Sequence, residues 1–381
     1  MNVLSLFDGM SGGQIALTEL DIPIDKYYAS EIDKYAMQFT IQNFPNTIQV
    51  GDIRELDINK LDKIDLLIGG SPCQSLSMAG KRKGLSTKEG IEIFDLEMYL
   101  ELKENGFEFE GQSYLFWEYI RIYNDLLERG DNPKFFLENV EMGKKWENVF
   151  NDVLGRKGIH INSALVSAQN RRRIYWTDIH DDIPQPEDRG ILLKDILEEE
   201  VDEKYFLSDK MIECLKGRVK TDKFSPVQFS PIKFPYEQKA RTINTRLFKM
   251  GDNDNYIQVD NDPTCVAMLG RESACLTTVQ KDNPIIVSGM IRAFGGKHFR
   301  EIKSGKSCTL LARARNDGNT QPCVQIGAKI RRLTPTECAR LQTVPEWYIW
   351  DGISDTQRYK MLGNGWNIET IKHIFKYLKK Q

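Results

Sequence analysis

Among 381 residues there are only four histidines and seven cysteines, and the cysteines (73, 214, 265, 275, 308, 323 and 338) form no Cys-x-x-Cys pair. An odd number without paired spacing indicates neither a disulfide framework nor a zinc knuckle, so free thiols are expected and no metal site is. No run approaches the ~18 consecutive apolar residues of a membrane span. The opening Met1–Met10 lacks the basic flank and small-residue cleavage site of a signal peptide, and the expected location is cytoplasmic. An overall excess of charge is missing too, since 52 Lys and Arg face 55 Asp and Glu for a net −3. That near-balance hides a division: Lys204 to Gln325 holds 20 basic against 12 acidic residues, the rest 32 against 43. A basic block within an acidic protein suggests a polyanion on one side, with a solvated surface as the alternative.

What is present suits two or three domains. Over the first ~180 residues short apolar runs alternate with helical patterns. Val3–Phe7, Tyr27–Ser30, Asp65–Gly70 and Lys134–Asn139 read as strands. Phe116, Tyr119, Ile120, Tyr123 and Leu127 recur at helical spacing before the last of these. Such alternation builds an α/β fold with a doubly wound, mainly parallel sheet. From about residue 204 the texture turns to short strands rich in Gly, Pro, Asn and Asp, which fits a smaller mixed or β-rich domain. Within it, Ala240–Ile243, Ala274–Thr277 and Ser307–Leu310 recur at a near-constant interval and read as a degenerate repeat, chance being the rival. Helical signals return at Thr334-Pro335-Thr336-Glu337, a capped start, and along Ile368, Ile371, Phe375 and Leu378. The last ~55 residues therefore look like a return to the first domain. Thr87 to Glu110 holds eight carboxylates against Lys88 and Lys103 and reads as an acidic insertion carrying a solvated helix.

Several residues in this frame carry chemistry. Phe7-Asp8-Gly9-Met10-Ser11-Gly12-Gly13 is a Gly-rich turn between a strand and a helix, where a ligand approaches backbone amides. Glu31 and Asp52 follow at successive strand ends, positions suited to a nucleoside-type cofactor lying across the sheet's carboxyl edge. Cys73 sits in Gly69-Gly70-Ser71-Pro72-Cys73-Gln74-Ser75, a polar, Gly/Pro-fixed turn after an apolar strand, and is a nucleophile candidate. None of the histidines at 160, 180, 298 and 373 stands in a context that would activate it, and they read as structural or surface residues. Glu138, at the end of an apolar strand, is instead the expected acid, placed where burial favours the neutral, proton-donating form. Gln169-Asn170-Arg171-Arg172-Arg173 supplies cations suited to phosphate, a plain surface cluster being the alternative.

In this order the motifs resemble the cytosine-5 DNA methyltransferase family. The resemblance rests on Phe-Asp-Gly-x-x-Gly at 7–12, Glu31, Asp52, Pro72-Cys73-Gln74, Glu138-Asn139-Val140 and Gln169-x-Arg171-x-Arg173. It continues through Arg332-Leu333-Thr334-Pro335 with Glu337-Cys338, Leu341-Gln342 and Gly363-Asn364. The family is most similar in its prokaryotic or phage form, with a likeness to the eukaryotic de novo enzymes in Leu4–Gly9 and Phe116–Tyr119. Ser11 stands where many relatives have Gly, and Gly365-Trp366 where a small residue and Val are commoner.

The resemblance implies an S-adenosylmethionine-dependent methyltransferase acting on a cytosine flipped out of double-stranded DNA. Catalytic roles would fall to Cys73, Glu138, Arg171 and Arg173. The cofactor would be held by Phe7, Asp8, Gly9, Gly12, Glu31, Ile32, Asp52, Ile53, Pro72 and Asn364. Gln74, Ser77 and Gln169 would meet the DNA, as would Arg241, Arg246, Arg271, Arg313 and Arg315. The expected division is a catalytic domain, 1–179 with 326–381, and a target-recognition domain, 180–325. A monomer is expected, with any cognate restriction endonuclease acting separately. Three rivals are a tRNA cytosine-5 methyltransferase, whose Cys-Phe-Thr signature is missing here, an inactive homologue, which typically loses the Cys or Glu, and a Rossmann-type oxidoreductase, which leaves Pro72-Cys73-Gln74 unexplained.

Overall fold

The computed structural model describes residues 1–72, 76, 85–206, 286–292, 319–326 and 329–380. Cys73, Gln74, Ser77, the proposed repeat, and Arg241, Arg246, Arg271, Arg313 and Arg315 lie outside them. The chain divides into two compact units: Met1–Asn162 with Arg172–Pro186 and Ile368–Gln381, and Ser163–Arg171 with Glu187–Asn367.

The first unit is built on seven strands: β1 (Asn2–Leu6), β2 (Lys26–Ser30), β3 (Ile48–Gln49), β4 (Leu66–Gly70), β5 (Lys134–Val140), β6 (Ile159–Asn162) and β7 (Arg172–Thr177). Their order is β3-β2-β1-β4-β5-β7-β6. The first five in that order are parallel, and β7 and β6 close one side as antiparallel neighbours. Because the chain runs outward from β1 through β2 and β3 and then returns to the other side of β1 as β4, the order reverses between β1 and β4. In open α/β sheets ligands bind outside the carboxyl ends of the strands at such a point.

The strands are apolar on both faces, as a sheet covered by helices on each side requires. Leu4, Leu6, Leu67, Phe135, Leu137, Ile174 and Trp176 point to one face and share a core with α4 (Leu115–Glu128) and α5 (Lys144–Leu154). There the rings of Phe150 and Trp176 lie 4.9 Å apart. The α4 face holds Phe116, Tyr119, Ile120 and Leu126, while Leu127, expected inside, is 38% exposed. On the other face Phe136 meets Phe375 edge-on at 5.1 Å. Phe375 belongs to α8 (Ile368–Phe375), which packs on α1 (Gly12–Glu19). The acidic insertion is only partly helical: α3 (Leu96–Glu104) starts at the Asp95 cap, and bridges Ser86–Glu92 and Thr87–Phe109 tie its ends together.

The second unit holds an antiparallel sheet of β8 (Ile286–Arg292), β9 (Asn319–Ile326) and β10 (Lys329–Arg331), order β10-β9-β8. It also holds α6 (Pro335–Leu341) and α7 (Asp355–Asn364). The capped start at Thr334 forms as read: Thr334 and Glu337 exchange side chain-to-backbone hydrogen bonds, with Pro335 in the first turn. Fully buried Glu337 also takes both ends of the Arg331 guanidinium at 2.7 and 2.8 Å. Cys338 is fully buried and its thiol is pushed well up by that burial, as for an inert structural cysteine. Residues 326–367 cluster with the second unit, and Ile368 onward joins the first. The physical reason is where each segment's partners lie. Glu337 accepts from the Glu198 amide, and Tyr205 donates to Asp355, whereas Phe375 meets Phe136.

Candidate active site

Parallel strands deliver their carboxyl ends to one edge, so the segments following β1, β2, β4 and β5 converge there. After β1 the backbone is left-handed at Phe7 (φ 60°), Gly9 (φ 57°) and Ser11 (φ 61°). Two of these three are not glycine, and such strain persists only where the surroundings enforce it. The amides of Asp8, Gly9 and Ser11 are taken by the Ser30 carbonyl, Glu31 Oε2 and the Asp8 carbonyl, so the place left for a polar or anionic ligand group is the first turn of α1, whose opening amides have no helical acceptor.

Asp8 is turned into the fold. Its carboxylate accepts from Tyr27 Oη at 2.8 Å, and burial pushes its pKa up to about 6 against hydrogen bonds from Ser5, Ser11 and Tyr27. Glu31 braces the turn: its Oε2 accepts from the Gly9 amide at 2.8 Å, and its Oε1 from the Ile32 and Asp33 amides, each at 2.8 Å. Ile32 stands beside it 64% exposed, an apolar surface flanking an acid.

Asp52 does not end a long third strand, since β3 is two residues. It caps the 3-10 turn Ile53–Glu55, and its oxygens are held by Arg54 Nε, both at 3.0 Å, and by the Arg54 Nη2. That hydrogen bonding keeps the Asp52 carboxyl below its usual range. Arg54 was missed from the sequence, although a cation two residues after the acid was the available signal.

The β4–β5 pair sets the other half. Gly69 is required by packing, because a Cβ there would lie 3.0 Å from the Tyr119 ring. Gly70 pairs in register with Glu138. One residue further, Asn139 Nδ2 donates to Ser71 Oγ at 2.9 Å and to the Ser71 carbonyl at 3.3 Å, fixing the backbone that leads through Pro72. Glu138 is nearly buried, and its Oε1 takes Arg173 Nε at 2.7 Å. The antiparallel register explains this: Glu138 faces Tyr175 and Val140 faces Arg173, so Glu138 and Arg173 are diagonal neighbours on one face.

The remaining expected residues lie in the second unit. Gln169 is fully buried with neither carboxamide atom paired among the described residues. Arg171 is 2% exposed and donates to the Gly365 carbonyl at 2.9 Å. That carbonyl also takes Gln342 Nε2 at 3.3 Å, and Asn364 ends α7 with its side chain exposed. Arg171 and Arg173 are thus not a surface cluster, and only Arg172 of the three is exposed. Among the described residues no His/Cys/Asp/Glu group is arranged to hold a metal ion, and no helix is long and apolar enough to cross a membrane.

The donor set fits a nucleoside-linked amino acid such as S-adenosylmethionine. The first amides of α1 suit its carboxylate, an acid at the β2 end its ribose hydroxyls, and exposed Ile32 with Asp52 a flat base carrying an amino group. Comparison with known proteins agrees. The profile of C-5 cytosine-specific DNA methylases matches residues 1–380. The orphan methyltransferase M.SPRI of Bacillus phage SPR is 26% identical over 99% of this chain and 97% of its own. The type II methyltransferase M.Bsp6I of Bacillus sp. (strain RFL6) is 25% identical over 98% and 97%. Among solved structures, Dnmt2 from Spodoptera frugiperda superposes with a TM-score of 0.54 at 19% identity, covering 99% of both chains, a likeness of fold.

Proposed function

The chain belongs to the C-5 cytosine-specific DNA methylase family, and from that membership we propose how its own residues divide the work. It is a DNA (cytosine-5)-methyltransferase. S-adenosylmethionine, when bound, supplies the methyl group, and the family's reaction proceeds through a covalent adduct between an enzyme cysteine and the base.

We assign that cysteine as Cys73. The observation that carries the assignment is the register of Gly70, three residues before Cys73, against Glu138, with Glu138 held by Arg173 at 2.7 Å. Carbon 6 of cytosine is inaccessible in a stacked duplex, so the base must leave the stack before attack. The Cys73 thiolate then bonds to carbon 6, and the electron pair of the 5,6 double bond passes into the ring. Glu138 meets the Watson–Crick edge and hydrogen-bonds or protonates ring nitrogen 3, which lowers the cost of that attack. Arg173 keeps the Glu138 carboxyl aimed, and with Arg171 it stabilises the charge of the adduct. The electron pair returns through carbon 5 to the methyl, whose bond to the sulfonium sulfur breaks to leave a neutral thioether; the carbon-5 proton then leaves to a base, and expulsion of the thiolate restores the double bond. Phe7, Gly9, Gly12, Glu31, Ile32, Asp52, Ile53, Pro72 and Asn364, with the Asp8 backbone, hold the cofactor in this reading. Gln74, Ser77 and Gln169 are assigned to DNA binding in the same reading.

Residues 180–325 are proposed to recognise the target, on the strength of their basic balance and the vanishing of the family motifs over that span. The chain acts as a monomer in this reading, and any cognate restriction endonuclease works separately. The cytoplasm of a bacterial cell or phage-infected host fits relatives named from Bacillus and its phages. DNA containing 5-fluorocytosine tests the assignment, because fluorine cannot leave carbon 5 as a proton does. Wild type should be trapped as a stable protein–DNA adduct and Cys73→Ala should not; an adduct in the Ala variant refutes the role of Cys73.

A further inference from the structure

We propose that the acidic insertion, residues 87–110, positions the adenine end of the cofactor site by acting through Glu118 and Arg121 on the Asp52–Ile53 turn. The inference rests on the reading of Asp52 as a cofactor ligand.

Glu118 lies on α4 and is fully buried. An unpaired buried carboxylate is costly, and two of its three donors come from the insertion. Tyr99 Oη donates to Oε1 at 2.5 Å and Lys103 Nζ at 2.6 Å, both from α3. The third is Arg121 Nε, one turn along α4, which donates to Oε2 at 2.7 Å. Arg121 then reaches out of its helix, and its Nη2 donates to the Ile53 carbonyl at 3.0 Å. Ile53 opens the 3-10 turn that Asp52 caps, so the insertion's charges and the cofactor turn share one chain of hydrogen bonds.

A second route reaches the same turn. Phe109, within the insertion, packs between Tyr99 (5.0 Å) and Tyr114 (4.7 Å), and Tyr114 in turn influences the charge of Arg54, the residue that grips Asp52. Asp52 also feels Lys103 directly: after the dominant Arg54 hydrogen bonding, the Lys103 charge is among the influences that lower its pKa. The carboxylates of α3, Glu97, Glu101 and Glu104, are all exposed and take no part in this network. The working part of the insertion is therefore its inner face, Tyr99, Lys103 and Phe109.

The test is calorimetric titration of the full chain with S-adenosylmethionine. Lys103→Met and Arg121→Met should each weaken binding by about tenfold, within the range of coupling inside one hydrogen-bond network. Turnover at saturating cofactor and the KM for DNA should stay at the wild-type level, a split that general loosening of the fold would not produce. Asp52→Ala should weaken binding alone, and adding Arg121→Met to it should cause little further loss, because the group being positioned is gone. Lys103 is 39% exposed, so its variant carries the test if Arg121→Met does not fold. Unchanged affinity in Lys103→Met and in a folded Arg121→Met, or losses that add fully to that of Asp52→Ala, overturns the proposal. Unchanged affinity in Asp52→Ala itself instead overturns the reading of Asp52 on which it rests.

Discussion

Arg173 places its Nε 2.7 Å from Glu138 Oε1, with the two side chains only 7% and 10% exposed. The pair joins two residues that lie 35 positions apart in the chain and reach the same face through an antiparallel neighbour added to a parallel sheet. Removing one member of such a pair leaves the other buried without compensation.

Arg173→Met should therefore lower stability by about 3–5 kcal/mol, the usual cost of breaking a buried pair. Glu138→Gln keeps hydrogen-bonding capacity and should fold close to wild type while losing at least ~100-fold in turnover, as expected for a group that handles a proton. Urea unfolding and methyl-transfer assays read the two effects separately. A stable, fully active Arg173→Met enzyme contradicts the arrangement.

Glu31→Ala and Asp52→Ala should each weaken S-adenosylmethionine binding by about one to two decades, since a hydrogen bond to a charged group contributes roughly 1.5–3 kcal/mol. Glu31→Ala should also lower stability, because the Gly9, Ile32 and Asp33 amides lose their acceptor. Unchanged affinity in both variants means the nucleoside end is placed elsewhere.

Asp8 predicts a pH dependence. Its folded pKa of about 6 lies above the ordinary 3.8, so the native state holds the proton more tightly than the unfolded chain. Stability from this group is complete below about pH 4, declines as pH rises towards about 6 and is flat above. Asp8→Asn, uncharged throughout, should be the more stable protein at pH 7–8, by up to about 3 kcal/mol on linkage grounds, with the advantage shrinking towards pH 4. Denaturant melts across this range would show it, and a difference that does not change with pH would contradict it.

Grafting residues 180–325 into a family member of different specificity should transfer the methylated site, read by bisulfite sequencing of a modified plasmid. Single changes at Arg241, Arg246, Arg271, Arg313 and Arg315 should fall into two kinds. Phosphate contacts weaken all sites alike, while base contacts alter preference by ~1–3 kcal/mol. An active chimera that keeps the recipient's site refutes the assignment.

The parallel half of the sheet was legible because each strand is a short apolar run ended by Gly or an acid, a local pattern that buried parallel strands impose. The start of α6 was legible for the same kind of reason, since Thr334, Pro335 and Glu337 act within one turn. Contacts that depend on register over long separations were not legible. Glu138 and Arg173 were each expected at the site, yet their direct pairing follows from β7 running antiparallel to β5. The inward turn of the Asp8 carboxylate was not legible either, because it follows from Tyr27 on the neighbouring strand. Leu127 differs from Leu126 by one position, and helical spacing alone does not decide which of two adjacent leucines faces the core.

The packing of α8 on α1, with Phe375 against Phe136, bears on how the protein is made. A ribosome delivers β1 to β7 first, then all of 187–367, and only afterwards the helix that covers Phe136. Throughout that interval one face of the nascent sheet lacks its lid, leaving apolar surface open to chaperones or to neighbouring chains. Completion of the first unit therefore waits on the synthesis of residues 187–367, which separate α8 from the strands it packs against.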